Sequence, residues 1–184
     1  IACQQVLVED GSVFSVQWSV MPVAIAAGLS PLNLLERYLA YIKKCTFSII
    51  RPLVLNTGLE FRLLNTGWSL ISFLPPQAGA GFATLRICGG LLVQPRQCGC
   101  GEFRFELDTL PEGVRVSLRL SDFCPLILGS SSPSALRFRL YQLTQATIHR
   151  RVAVRFLAQL YRELAGVSAE IKIVNVSIRD GKAV

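Results

Sequence analysis

Few residues in this 184-residue chain have both the type and the spacing for chemistry. His149 is the sole histidine, so any Ser–His or Cys–His machinery has to pass through it. It falls in the middle of a long helical pattern beside Arg150 and Arg151, whose charge disfavours its protonated form, and no glycine-flanked serine elbow accompanies it. Cys98-Gly99-Cys100 is the tight cysteine pair. A closed tetrahedral zinc site needs four ligands at wider spacing, and Cys88 and Cys124 would have to complete it, so ordinary thiols are the simpler reading. Arg62, Arg86 and Arg104 stand on strand-like segments. Turned inward they would meet an anionic ligand group; turned outward they would pair with Glu60 or Glu106. Phosphate-cradling glycine loops and closely spaced inward carboxylate pairs are absent from the sequence. The expectation is a chain with no cofactor and no metal, a binding protein rather than an enzyme.

Composition narrows the class. At 51% hydrophobic and 17% charged residues, the chain is apolar enough either to fill a generous core or to offer apolar surface to a ligand. No stretch reads as a membrane span, because the longest weakly charged run, residues 11–33, is broken by polar residues and turn signals. A net charge of +7 suits an acidic partner, but the basic residues are spaced singly apart from Lys43-Lys44 and Arg150-Arg151, which reads as a solvated face and makes nucleic acid an unlikely partner. Six cysteines in so apolar a chain need not form disulfides, and reduced thiols with a cytoplasmic location are expected. The first residue is Ile1 rather than Met, which leaves a preceding signal peptide open.

These side chains must be positioned by a sheet and one long helix. In residues 134–165, Leu136, Leu140, Leu143, Ala146, Thr147, Val154, Leu157, Tyr161 and Leu164 share a face at 3.6 residues per turn, with a second apolar row at Phe138, Tyr141, Ile148, Val152 and Phe156 and a basic stripe at Arg137, Arg151, Arg155 and Arg162. Residues 134–143 also alternate as a strand would. Before the helix, residues 2–8 and 12–20 read as a hairpin about Glu9-Asp10-Gly11, with Phe14, Val16, Trp18 and Val20 on a buried face and Ser15, Gln17 and Ser19 on a polar one. Ser30-Pro31 starts a helix with Leu32, Leu35, Leu39 and Ile42 inward. Two Leu-Asn-Thr-Gly turns separate strands at 46–55, 59–64 and 68–74. A long strand at 82–93 holds Gly89-Gly90 as a bend, and residues 103–107 and 114–120 form a hairpin. A last strand is expected at 170–179, against an edge near the N-terminus.

This order of strand, helix, antiparallel strands and long C-terminal helix, together with the Gly89-Gly90 bend, resembles the START/SRPBCC superfamily over residues 12–165. The resemblance implies an α+β, helix-grip-like fold: a curved antiparallel sheet wrapped around a long C-terminal amphipathic helix, within a single domain of 1–184 to which strand 170–179 is an addition. It differs in showing one helix after the first core strand where the family has two. It further implies a cavity between sheet and helix for an apolar small molecule or lipid, walled by Phe61, Trp68, Phe103, Phe105, Val116 and Leu118, with Arg104 and His149 as polar contacts. Two other readings stand beside this one: an interaction module that docks its basic helix stripe on nucleic acid or anionic lipid, and a cyclase- or hydrolase-like enzyme on the same fold.

Overall fold

The computed structural model describes residues 1–94, 101–128, 135–167 and 170–184. The strands are β1 Ala2–Leu7, β2 Val13–Met21, β3 Ile50–Leu55, β4 Gly58–Leu63, β5 Ser69–Phe73, β6 Gln77–Gly79, β7 Phe82–Gly89, β8 Glu102–Leu110, β9 Gly113–Phe123, β10 Val174–Asn175 and β11 Lys182–Ala183. The helices are α1 Val23–Ala26, α2 Pro31–Cys45, α3 Ala135–Tyr141 and α4 Thr147–Ala165, the last two joined by a π segment at Gln142–Ala146. All strands join one sheet in the order β10-β1-β2-β9-β8-β7-β5-β4-β3, with β11 also on β1 and β6 on β7. Apart from the parallel β1–β10 pair, every pairing is antiparallel. Register shifts in β2–β9, β4–β5 and β5–β7 mark where a sheet of this kind bends. The architecture is the expected α+β one, a curved antiparallel sheet with a long C-terminal helix.

Local signals account for most boundaries. Ser30 caps α2, its Oγ accepting from Asn33 N at 3.2 Å, and Pro31 takes the first helical position. In the β1–β2 turn, Asp10 Oδ1 accepts from Ser12 N at 2.8 Å. The one-turn helix α1 precedes α2, so a second helix does follow the first core strand, where the sequence shows one. Strand β3 starts at Ile50 rather than Thr46, because residues 46–49 close the end of α2 as a tight turn. The Gly89-Gly90 pair ends β7 instead of bending a longer strand. Gly90 has φ +122°, and a Cβ there would come within 2.4 Å of the Leu70 carbonyl oxygen. Of the strand expected at 170–179, two residues pair, Ala2↔Val174 and Cys3↔Asn175, on the N-terminal edge as anticipated.

The core lies between the sheet and the two long helices. Tyr38 of α2 meets Phe103, Phe105 and Phe156 edge-on, with ring centroids 5.2, 5.3 and 5.1 Å apart, so strand, helix and helix are keyed through one phenol ring. The inward face of α2 is Leu34, Leu35, Tyr38, Tyr41 and Ile42, rotated from the expected stripe, and Leu32 is exposed. The C-terminal helix departs further. Residues 135–141 are helical, which settles their ambiguity, but the π segment inserts an extra residue into the turn. Position i−5 replaces i−4 beneath each residue there. Tyr141 therefore sits in the core in line with Ala146, while Leu136, Leu140 and Leu143, expected against the sheet, are swung out to solvent. Beyond the π segment the 3.6-residue rule resumes, and Ala153, Phe156, Leu157 and Leu160 are buried.

Strand β2 also reverses an expectation. Val13, Ser15, Gln17, Ser19 and Met21 face the helix, and Ser15 and Gln17 are fully buried there. Phe14 and Val16 lie on the opposite face, in a small cluster with Val6, Val8 and Trp18. Arg119 and Arg179 cover the Phe14 ring from 5.5 and 5.1 Å. Both faces of the strand are covered, so alternation alone did not show which was inner.

Candidate functional site: the layer between sheet and C-terminal helix

Register places the inward residues in rows. Ser15, Leu120, Phe103 and Leu85 form one row across β2, β9, β8 and β7, and Gln17, Leu118, Phe105 and Ala83 the next. On the edge strand, Cys3 stands opposite Gln17 and Gln5 opposite Ser15. One end of the inner face is thus aromatic and aliphatic and the other, near β1 and β2, is polar. Gln5 Nε2 donates to the carbonyl of Ala146 at 3.1 Å, which fixes the end of the π segment above this polar floor. Arg150 reaches Cys3 from the same helix; burial pushes the Cys3 thiol up, against the pull of that guanidinium.

Among the polar atoms enclosed by protein without a hydrogen-bond partner are Gln17 Oε1 on β2 and Gln145 Oε1 and His149 Nε2 on the C-terminal helix. Gln17 uses its Nε2 on Ser15 Oγ at 2.8 Å, leaving the carbonyl oxygen over. Gln145 lies in the π segment and His149 in the first turn of α4. His149 as a residue is only half-buried, but its Nε2 is not exposed, and its ring stands edge-on to Phe103 with centroids 5.8 Å apart. Desolvation pushes its pKa down from 6.5 to about 4, so it is neutral at pH 7 and able to accept or donate one hydrogen bond. An enclosed polar atom without a partner costs of the order of 1–3 kcal/mol, and these three call for a reason.

Of the wall residues expected from the sequence, Phe103, Phe105, Val116 and Leu118 come together on the inner face at 4% exposure or less, with His149 above Phe103. Phe61 lies further along the same face, half-buried against Phe73 at 5.3 Å. Two residues are elsewhere. Trp68 is 64% exposed at the turn before β5. Arg104 is on the outer face, its Nε 2.9 Å from the Glu106 carboxylate and its guanidinium 4.0 Å above the Phe82 ring, so strand parity turns it away from the layer. Gln17 and Gln145 were missed, since both look like solvent-facing residues of amphipathic elements.

Cys98 and Cys100 lie outside the described residues. Cys3, Cys45 and Cys88 are free thiols, whereas Cys124 is disulfide-bonded and so departs from the reduced state expected of it. Among the described residues, no group of three or more His, Cys, Asp or Glu is placed to hold a metal, and no helix is long and apolar enough to cross a membrane. Arg151 and Arg155 of the basic stripe are exposed and, with Arg150, line a groove of ≈ 560 Å³ whose far wall is Ile171, Ile173 and Val184.

No protein-family model matches the chain, and no curated protein does. Three solved structures are similar to it at low identity. They are the di-domain ARO/CYC StfQ from the steffimycin biosynthetic pathway, with 12% identity over 84% of this chain and a TM-score of 0.45; CalU16 from Micromonospora echinospora, with 12% identity over 89% and a TM-score of 0.34; and a Polyketide_cyc-like protein from Corynebacterium glutamicum, with 10% identity over 82% and a TM-score of 0.29. The alignment spans 52% of StfQ, 94% of CalU16 and 87% of the third chain, so this chain matches about half the length of the first.

Proposed function

We propose that this protein binds an apolar small molecule or lipid between its sheet and its C-terminal helix, without covalent chemistry. The observation that carries the reading is the set of enclosed, unpartnered polar atoms, Gln17 Oε1 on β2 and Gln145 Oε1 and His149 Nε2 on the C-terminal helix. A ligand with a long apolar body and one or two hydroxyl or amide groups at one end satisfies both halves of such a site. Phe103, Phe105, Val116 and Leu118 would contact the body; the glutamines and the neutral histidine would orient the head. The π segment fits this role, because it turns Tyr141 inward and leaves the Ala146 carbonyl to accept from Gln5, which ties the start of α4 to β1.

The test is binding of a polarity-sensitive naphthalene sulfonate dye, competed by long-chain alcohols and sterols. Val116→Trp fills the middle of the layer and should abolish dye uptake while the circular dichroism spectrum is kept; overpacking of this kind costs about 1–3 kcal/mol. His149→Leu removes one head contact and should weaken hydroxyl-bearing competitors about tenfold, leaving pure hydrocarbons unaffected. Equal dye binding by the wild type and by Val116→Trp would refute the site.

A further inference from the structure

A second apolar feature lies at the far corner of the sheet, where the turn after α2 meets the β4–β5 turn. Phe47 is 90% exposed, Trp68 64%, Ile49 49% and Leu64 49%. The two turns are fastened together: Leu64 N donates to Ile49 O at 2.7 Å, Leu63 N to Trp68 O at 3.0 Å, and Arg51 bonds both Ser48 O and Asn65 Oδ1. Phe47, Ser48 and Leu64 hold φ of 51°, 61° and 52°, a left-handed backbone in which non-glycine residues are uncommon. Phe47 follows the C-cap of α2, where glycine is usual and would relieve the strain. A large aromatic side chain is held out in water at a strained position.

The charge around the corner is one-sided. From Lys43 to Phe73 the sequence has four basic residues, Lys43, Lys44, Arg51 and Arg62, and a single acidic one, Glu60, which is held by Arg62 at 2.6 Å. Lys43 and Lys44 end α2 one turn before Phe47, both exposed, and Arg51 follows it. Protruding aromatic and aliphatic tips ringed by cations match the headgroup boundary of an anionic bilayer, where rings and alkyl chains enter and ammonium groups stay with phosphate. A second copy of the chain fits poorly, since a two-fold contact would set Lys43, Lys44 and Arg51 of one copy against those of the other. We infer that this corner, Phe47, Ile49, Leu64 and Trp68 with Lys43, Lys44 and Arg51, docks the protein peripherally on an anionic phospholipid surface. The inference does not rest on the ligand reading, and either can fail alone.

Co-sedimentation with phosphatidylcholine vesicles, with and without phosphatidylserine, tests it. The protein should pellet with the anionic vesicles and be released by salt, and Trp68 emission should shift blue; Trp68→Phe reports what Trp18 contributes. The Phe47→Ser/Trp68→Ser double variant should lower partitioning more than tenfold with its melting curve unchanged, and Lys43→Gln and Lys44→Gln should each lower it about fivefold on anionic vesicles. The inference is overturned by absence of partitioning into either vesicle. It is equally overturned if binding survives the corner variants but is lost in Arg151→Gln/Arg155→Gln, or if the wild type forms a concentration-dependent dimer that Trp68→Ser dissolves.

Discussion

The two ends of the inner face obey the same alternation and meet different fates. At the end covered by the helices, Phe105 and Val116 are fully enclosed, whereas Val54, on the same face at the tip of β3, is 70% exposed. A period of two tells which side chains share a face; whether that face is covered depends on how far a helix reaches across it. A related contrast divides the covered layer. Its β7–β9 half is aromatic and aliphatic, with His149 edge-on to Phe103, and its β1–β2 half carries glutamine, serine and cysteine. Burial of apolar side chains dominates the first half; in the second, Gln17 Oε1 is enclosed with no partner among the described residues.

The sharpest way to break this comparison is a truncation at each end. Phe105→Ala should destabilise the protein by about 3–5 kcal/mol, as loss of a fully buried ring does, and Trp68→Ala by no more than about 0.5 kcal/mol. Urea melts read both, and a large effect at Trp68 would mean that the far corner is part of the core. Next comes pH. Folded His149 titrates near 4, while the unfolded chain titrates near 6.5, so between these values the unfolded state binds more protons. Stability is complete above pH 6.5 and falls as the pH drops toward 4, by about 2–3 kcal/mol. His149→Gln should flatten that window; an unchanged slope would show that the ring is solvated.

A smaller effect is expected at Gln4 on the covered edge. Its Oε1 accepts from Ile178 N at 2.8 Å and Arg179 N at 3.1 Å, and its Nε2 donates to Arg179 O at 2.7 Å, so one side chain ties the C-terminal segment to β1. Gln4→Ala should cost about 1–2 kcal/mol and speed amide exchange at Ile178 and Arg179 with little change in β8 and β9. Smallest is Ser30→Ala, which removes the α2 cap for about 1 kcal/mol.

Much of this fold was legible. Asp10-Gly11, Ser30-Pro31, the two Asn-Thr-Gly turns and the 102–123 hairpin each carry their own local chemistry, and they lie where the sequence places them. What was not legible has no local signal. An extra residue in a helical turn leaves the apolar repeat unbroken on paper while rotating Leu136, Leu140 and Leu143 out of the core. Likewise the polar face of β2 reads as solvent-facing, because the pattern does not record that the C-terminal segment covers the other side. Phe103 and Phe105 lie on the inner face because their strand alternates strongly, whereas Trp68, expected beside them, stands exposed at a turn. Gln17 and Gln145 were missed because polarity at an inner position is visible only after packing.

Native mass spectrometry of the purified protein, before and after denaturing extraction, tests the central claim most directly. An excess mass is expected that is lost on extraction, or that reappears on adding a hydroxyl-bearing apolar compound, and that is missing from Val116→Trp in both cases. A bare chain mass that no added apolar compound alters would contradict it and leave the layer between sheet and helix as core alone.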